Sequence, residues 1–163
     1  MPILVVQHMP AIFTHELADR LDTQCALKIK EGENGEFLQP GTVYIAPGGR
    51  QMKVVEGNGR RLLRLTDDEE ENSCQPSVDY LFRSMAQAYG ARAVGVIMTG
   101  MGADGVEGLK LMKRGGAIVI AQDEASCVVF GMPRKAIEEG IVDIVVPLER
   151  IAAEIVRSVR SPG

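Results

Sequence analysis

Cysteine, basic clusters and long apolar runs are scarce in this chain, and each scarcity excludes a class of protein. The three cysteines, Cys25, Cys74 and Cys127, are odd in number and lack C-x-x-C spacing, so neither a disulfide framework nor a zinc site is indicated. No basic cluster is interleaved with aromatic residues, and the net charge is −4, so a nucleic-acid partner has little support. No apolar run approaches the roughly 20 residues of a membrane helix.

The ordinary composition predicts one globular domain. The chain has 163 residues, of which 45% are hydrophobic and 25% charged, with a mean hydropathy of +0.02. Residues 1–8 lack the basic flank and the cleavage region of a signal peptide. We therefore expect a single domain over residues 1–163, cytoplasmic and not inserted in a membrane. The acidic run at residues 67–71 is expected to be a solvated loop.

Apolar periodicity predicts an α/β fold. Residues 3–7 are predicted to form a buried strand and residues 13–22 a helix. Residues 36–66 are predicted to form short strands with a hairpin turn at Asn58-Gly59. From Pro76 onward helices (78–89, 106–113, 133–139, 148–159) alternate with strands (93–98, 117–121, 142–146). This alternation predicts a doubly wound, mainly parallel sheet with helices on both faces and a β-hairpin insertion around residues 36–66.

Several chemically useful residues follow the predicted strands. His8, Gly48-Gly49, Asp104 and Asp123 each come shortly after a strand. Ligands of such sheets bind beyond the carboxyl ends of the strands, so these residues are candidates for one shared rim.

The glycine loop at residues 98–105 admits two interpretations. Gly100, Gly102 and Gly105 have the spacing of the dinucleotide fingerprint, but Asp104 would place a negative charge where a pyrophosphate should approach. Alternatively, Asp104 is the acid of a hydrolytic triad whose base is His8.

Each proposed triad member also has an ordinary structural interpretation. Asp104 suits the N-cap of the helix that follows it, and a lone histidine such as His8 is commonly a surface or hydrogen-bonded residue. His15, on the first predicted helix, is treated as a surface residue.

Five motifs together resemble one family, the catalytic domain of the chemotaxis protein-glutamate methylesterases. The resemblance runs from Pro2 to about Glu154 and rests on Q-H-M-P (7–10), Y-I-A-P-G (44–48), P-S-V-D (76–79), M-T-G-M-G-A-D-G (98–105) and Q-D-E-A-S-C-V-V-F-G-M-P (122–133). It implies hydrolysis of glutamate methyl esters, and deamidation of glutamines, on the cytoplasmic helices of chemoreceptors, without a cofactor or metal. It also implies that His8 is the base, Asp104 the orienting acid, and the backbone at Gly100, Met101 and Gly102 part of the active site.

The chain departs from the family at the nucleophile. The family carries it in a G-x-S-T-G-G loop, a motif that this sequence does not contain. None of the serines has a glycine neighbour that would form a tight exposed turn (Ser73, Ser77, Ser84, Ser126, Ser158 and Ser161). We expect a methylesterase domain truncated at its N-terminus, lacking the first βα unit and a receiver domain, and inactive or severely impaired.

A missing strand would also expose a sheet edge, which favours self-association. Two other functions stay open: a catalytically dead module that binds receptors or signalling partners, and a nucleotide-binding domain built on residues 100–105.

Overall fold

The structure, a computed structural model, describes residues 1–160 as two compact units. The first comprises residues 1–84 and the second begins at Met85. Each has a three-stranded parallel sheet of its own. No helix within residues 1–160 has both the length and the apolar content needed to cross a membrane.

The first unit is built on a parallel sheet of the order β1-β3-β2. Its first elements are β1 (Ile3–Val5), α1 (Ala11–Asp22), β2 (Lys28–Glu31) and β3 (Thr42–Ile45). The central strand β3 has a neighbour on each side and is buried throughout. Ala18 of α1 packs with Ile29, Val43 and Ile45 in an apolar cluster that fixes this helix to the sheet.

A hairpin and a helix complete this part of the chain. The antiparallel strands β4 (Gln51–Gly57) and β5 (Arg60–Thr66) are followed by α2 (Val78–Tyr89). Asn58 and Gly59 have φ values of 52° and 71°, as a two-residue turn with the twist of the hairpin requires. The predicted insertion at 36–66 was too wide, because β3 belongs to the parallel sheet and only β4 and β5 form the hairpin.

The second unit repeats the strand-helix alternation around a sheet of the order β6-β7-β8. A short 3-10 turn (Gly90–Arg92) leads to β6 (Val94–Ile97), α3 (Val106–Arg114), β7 (Ile118–Gln122), α4 (Met132–Glu138), β8 (Ile144–Val146) and α5 (Leu148–Arg160). Gly95 lets α3 approach β6 closely, because a Cβ there would lie 2.6 Å from Leu109 Cδ2. Ile151 of α5 packs with Ile120 and Val146 of the sheet.

The predicted α/β class with mainly parallel strands is confirmed, and the helices begin and end within two residues of their predicted bounds. The single predicted sheet is instead two parallel ladders among residues 1–160, one in each unit. Strand periodicity gives the direction and burial of a strand but not its partner, so the sequence could not distinguish one ladder from two.

Candidate active site

In the first unit, His8 and Gly48-Gly49 lie at the same edge of the sheet, as predicted. Strands β1 and β3 are parallel neighbours, and His8 follows the first as Gly48 follows the second. Ala46 N donates to Val5 O at 2.9 Å, which extends the ladder into both loops. The His8 side chain is exposed at this edge.

Gly48 holds the His8 loop through a close backbone approach. A Cβ at this position would lie 2.4 Å from both Met9 O and Ala11 N, so any other residue would force the two loops apart. Gly48 N donates to the hydroxyl of Thr14 at 3.0 Å, and that fully buried hydroxyl donates to Glu31 Oε1 at 2.6 Å. The loop that carries His8 is therefore fixed by α1, β2 and the loop after β3.

A tight turn at Glu71–Cys74 forms a second wall beside His8. Glu71 and Cys74 exchange two backbone hydrogen bonds of 3.0 and 3.1 Å, while Asn72 and Ser73 take left-handed φ values of 55° and 58°. Hydrogen bonding to Glu71 raises the pKa of Arg83, and the resulting ion pair ties the turn to α2.

The fully buried Gln51 anchors this turn from the hairpin side. Its Nε2 donates to Glu69 O at 3.1 Å and to Cys74 O at 3.2 Å, while its Oε1 accepts from Ser77 N at 2.9 Å. Gly49 N also donates to Gln75 O at 3.0 Å. The turn and the loop after β3 are thus joined directly.

These loops line an open cavity of about 380 Å³ within the first unit. Its lining residues come from three loops: His8, Met9, Pro10, Ala11, Gly49, Glu70, Ser73, Cys74 and Gln75. Cys74 Sγ lies within 4.8 Å of a ring nitrogen of His8. An imidazole at such a wall can exchange protons with a group that enters the cavity.

In the second unit, the glycine loop follows β6 and is held by the segment after β7. Gly100 N donates to Val129 O at 3.0 Å, and Met132 N donates to Gly100 O at 2.8 Å. A Cβ at Gly131 would lie 2.6 Å from Gly100 O, so this approach also requires glycine.

A buried amide joins the same two segments. Gln122, only 1% exposed, accepts from Thr99 N at 2.8 Å and donates to Ser126 O at 2.9 Å. Asp123 follows Gln122 at the end of β7, at the same sheet edge as the glycine loop. Within this unit, Asp123 and the glycine loop that carries Asp104 therefore follow neighbouring parallel strands, and one rim shared by all the strand-end residues stays a prediction.

Asp104 is 3% exposed, whereas Met101 in the same loop is 83% exposed. Gly105, with φ 98°, occupies the N-cap position of α3, one residue after Asp104, and a capping role for the Asp104 carboxylate stays a prediction. A buried carboxylate beside left-handed glycines suits an acid that orients another group. The dinucleotide interpretation loses support, because the Gly100 N–H already donates to Val129 O, in the segment after β7.

The serines differ in their surroundings. Ser73 is exposed and lines the cavity with His8, whereas Ser77 and Ser84 are buried. The Ser126 hydroxyl donates to Asp123 Oδ1 at 2.7 Å and accepts from Leu148 N at 3.0 Å, which indicates a structural role. Ser158 lies on α5, and Ser161 lies outside the described residues.

Two other predictions about ionisable groups are confirmed. His15 is a surface residue, 3.5 Å from Asp19 and from Glu31, and the acidic run at 67–71 is largely exposed.

Burial raises the pKa of the Cys127 thiol, which disfavours the reactive thiolate.

The residues that hold the loops of His8 and Asp104 were not predicted from the sequence. Thr14, Gln51 and Gln122 are buried polar side chains that connect segments distant in sequence. A polar residue in an otherwise apolar strand or helix face was the available signal, since such residues are buried only when hydrogen-bonded. No comparable signal existed for Cys74, which lies in an irregular polar stretch.

Comparisons with known proteins point to one family. Residues 1–155 match the family model described as CheB methylesterase. A protein-glutamate methylesterase/protein-glutamine glutaminase of Desulfotalea psychrophila is 55% identical over 161 residues, covering 98% of this chain and 44% of that protein. One from Bordetella avium is 54% identical over 154 residues, covering 94% of this chain and 44% of that protein.

A solved structure agrees with these sequence relatives. The CheB methylesterase catalytic domain of Thermotoga maritima is 44% identical, with a TM-score of 0.94 over 96% of this chain and 82% of that one. The chain spans about 44% of the length of the curated relatives named above.

Proposed function

Because the chain belongs to the CheB methylesterase family, we propose that it hydrolyses glutamate methyl esters and deamidates glutamines on chemoreceptor proteins. The family match over residues 1–155, together with His8 at the wall of a cavity, carries this proposal. The substrate segments are cytoplasmic receptor helices, so the proposal places the protein in the cytoplasm.

The proposed chemistry is acyl transfer. A serine hydroxyl attacks the ester carbonyl while His8 takes its proton, and His8 then returns that proton to the departing methanol. Water, activated in the same way, hydrolyses the acyl-enzyme to glutamate. With a glutamine substrate the leaving group is ammonia.

Asp104 is the orienting acid in this proposal. Its carboxylate holds the imidazole in the productive tautomer and stabilises the imidazolium that forms during each proton transfer. The burial of Asp104 supports this role, because a carboxylate shielded from water interacts more strongly with a cation.

Backbone amides of the glycine loop are the proposed oxyanion donors. Gly100 N is already bound to Val129 O, so the exposed stretch at Met101 and Gly102 is the better source. Removing one such donor typically costs about 3–4 kcal/mol of transition-state stabilisation.

The identity of the nucleophilic serine requires an experiment of its own. We expect no turnover by these 163 residues alone, because no serine in residues 1–160 sits in a G-x-S-x-G-type turn. Ser73 is the serine to examine first, since it lines the cavity with His8. If the chain alone releases methanol, the variant Ser73→Ala shows whether this hydroxyl is responsible.

Self-association through a strand edge is also proposed. Strands β1 and β2 are the outer strands of their ladder in the first unit, and unpaired edges favour pairing with a second chain. Sedimentation of the chain over a wide concentration range tests this, and a monomer throughout would contradict it.

Methanol release from a methylated receptor fragment tests the proposed activity in the product of the complete gene. His8→Gln should lower kcat by at least about 10⁴-fold, because the general base is lost. His15→Gln, at the chain's other histidine, is the matched control and should stay within about twofold of the unaltered protein. Tight receptor binding without any turnover would favour a binding module instead.

A further inference from the structure

His8 and Cys74 place two metal-binding atoms on one cavity wall. Cys74 Sγ lies within 4.8 Å of a ring nitrogen of His8, and both residues line the cavity of the first unit. Cys74 is half-buried and His8 exposed, so an ion from solvent can reach both. Glu70 also lines this cavity, and its carboxylate would rotate toward the two atoms to bind the same ion.

The backbone that carries these two residues is already fixed. Gln51 Nε2 donates a hydrogen bond of 3.2 Å to Cys74 O, and the turn at Glu71–Cys74 is closed by two backbone hydrogen bonds. The His8 loop is pressed against Gly48 with no room for a side chain between them. A site whose ligands sit on fixed segments loses little conformational entropy on binding.

The upper bound of 4.8 Å on the distance between the two atoms is compatible with a tetrahedral zinc ion bound to both. Zinc binds imidazole nitrogen at about 2.0–2.1 Å and thiolate sulfur at about 2.3 Å, which places the two ligands about 3.6 Å apart in a tetrahedron. Imidazole with thiolate is a donor set that favours Zn²⁺ over Mg²⁺ or Ca²⁺.

We propose that His8 and Cys74 bind Zn²⁺ at this cavity, with Glu70 and water completing the coordination. The Cys74 thiol, which donates to Asn72 O at 3.4 Å, transfers its proton to solvent when the metal binds. The bound ion occupies the imidazole lone pair. Zinc is therefore an inhibitor of ester hydrolysis, a consequence that rests on the proposed function, whereas the binding itself does not.

Direct binding to the reduced chain is the first arm of the test. Zn²⁺ is titrated calorimetrically, and Co²⁺ is titrated in parallel to detect a cobalt-thiolate absorption band. Cys74→Ser and His8→Gln should each weaken Zn²⁺ binding at least tenfold, and Cys74→Ser should abolish the band. Glu70→Gln should weaken binding by a smaller factor.

Matched controls use the same residue types outside the cavity. Cys25→Ser and His15→Gln should leave the Zn²⁺ affinity within about twofold, since Cys25 is an exposed thiol and His15 lies on α1. Unchanged binding in Cys74→Ser, or binding lost in Cys25→Ser, would overturn the proposal. Circular dichroism of each variant separates loss of ligand from loss of fold.

The second arm measures methanol release by the complete gene product with and without Zn²⁺. The factor by which Zn²⁺ slows methanol release should be at least tenfold larger in the unaltered protein than in Cys74→Ser. Zinc binding without any esterase activity would contradict the proposed function and leave the metal site standing. Activity that is insensitive to zinc, in a chain that binds none, would contradict only the metal site.

Discussion

The loop that carries His8 and the loop that carries Asp104 are built on the same plan but end in different environments. Each follows a parallel strand, and each is pressed against a glycine of another loop in its own unit, Gly48 for the first and Gly131 for the second. His8 is nevertheless exposed beside a cavity, whereas Asp104 is 3% exposed. The difference matches the two roles proposed, because a base must reach its substrate and an orienting acid must not be solvated.

A buried glutamine serves each loop in a corresponding way. Gln51 bridges the hairpin to the turn beside His8, and Gln122 bridges β7 to the loop of Asp104. Both amides use their oxygen as well as their nitrogen. Each unit therefore uses a buried glutamine to hold its loops, and we expect the two units to respond alike to the loss of that side chain.

The largest expected effect is at Asp104, the proposed orienting acid. Asp104→Asn in the complete gene product should lower the rate of methanol release about 10⁴-fold, because the imidazole loses the group that selects its tautomer. Asp19→Asn, beside the surface residue His15, is the control and should leave the rate within about twofold. Equal rates in the two variants would remove Asp104 from the mechanism.

The two glycine contacts should be the next most sensitive positions. Gly48→Ala and Gly131→Ala each place a Cβ within 2.6 Å of backbone atoms, and should lower the free energy of unfolding by about 3 kcal/mol. Gly57→Ala is the control, since its Cβ would meet only the end of the Leu62 side chain. Urea denaturation measures all three, and a Gly48→Ala variant as stable as Gly57→Ala would contradict the packing described.

The next largest effect is expected at the two buried glutamine side chains. Gln51→Leu and Gln122→Leu each leave buried backbone groups without hydrogen-bond partners. This costs about 1–3 kcal/mol per unsatisfied group. Both variants should show this loss in urea denaturation. If only one of them is destabilised, the correspondence between the two units fails.

The smallest expected effect is at the rim of the second unit. Met101→Ala removes a side chain that is 83% exposed, so the free energy of unfolding should change by less than about 0.5 kcal/mol. Binding of a methylated receptor fragment should nevertheless weaken severalfold in a fluorescence titration, because the side chain lies beside the proposed oxyanion donors. A large loss of stability would show that Met101 is a packing residue.

The sequence allowed the elements to be predicted well and their partners poorly. Helix α2 was predicted to the residue because apolar spacing, the preceding Pro76 and the following Gly90 agree. The hairpin turn at Asn58-Gly59 was equally clear, since both positions tolerate positive φ. Local signals of this kind depend only on neighbouring residues.

Features set by distant residues were not predicted. Cys74 lies 66 positions after His8, so no sequence spacing indicated that they meet. The N-cap position of α3 falls on the left-handed Gly105, one residue after Asp104. The close approaches at Gly48 and Gly131 depend on loop packing, which hydrophobic periodicity does not encode.

In the proposed mechanism Asp104 orients His8, and NMR of the histidine ring nitrogens tests this pairing. With ¹⁵N-labelled histidine, His15→Gln identifies the signals of His8, and the long-range ¹H–¹⁵N pattern reports its tautomer. We expect Asp104→Asn to change the tautomer or mobility of His8, and Asp19→Asn to leave both as they are. An identical His8 spectrum in Asp104→Asn would contradict it.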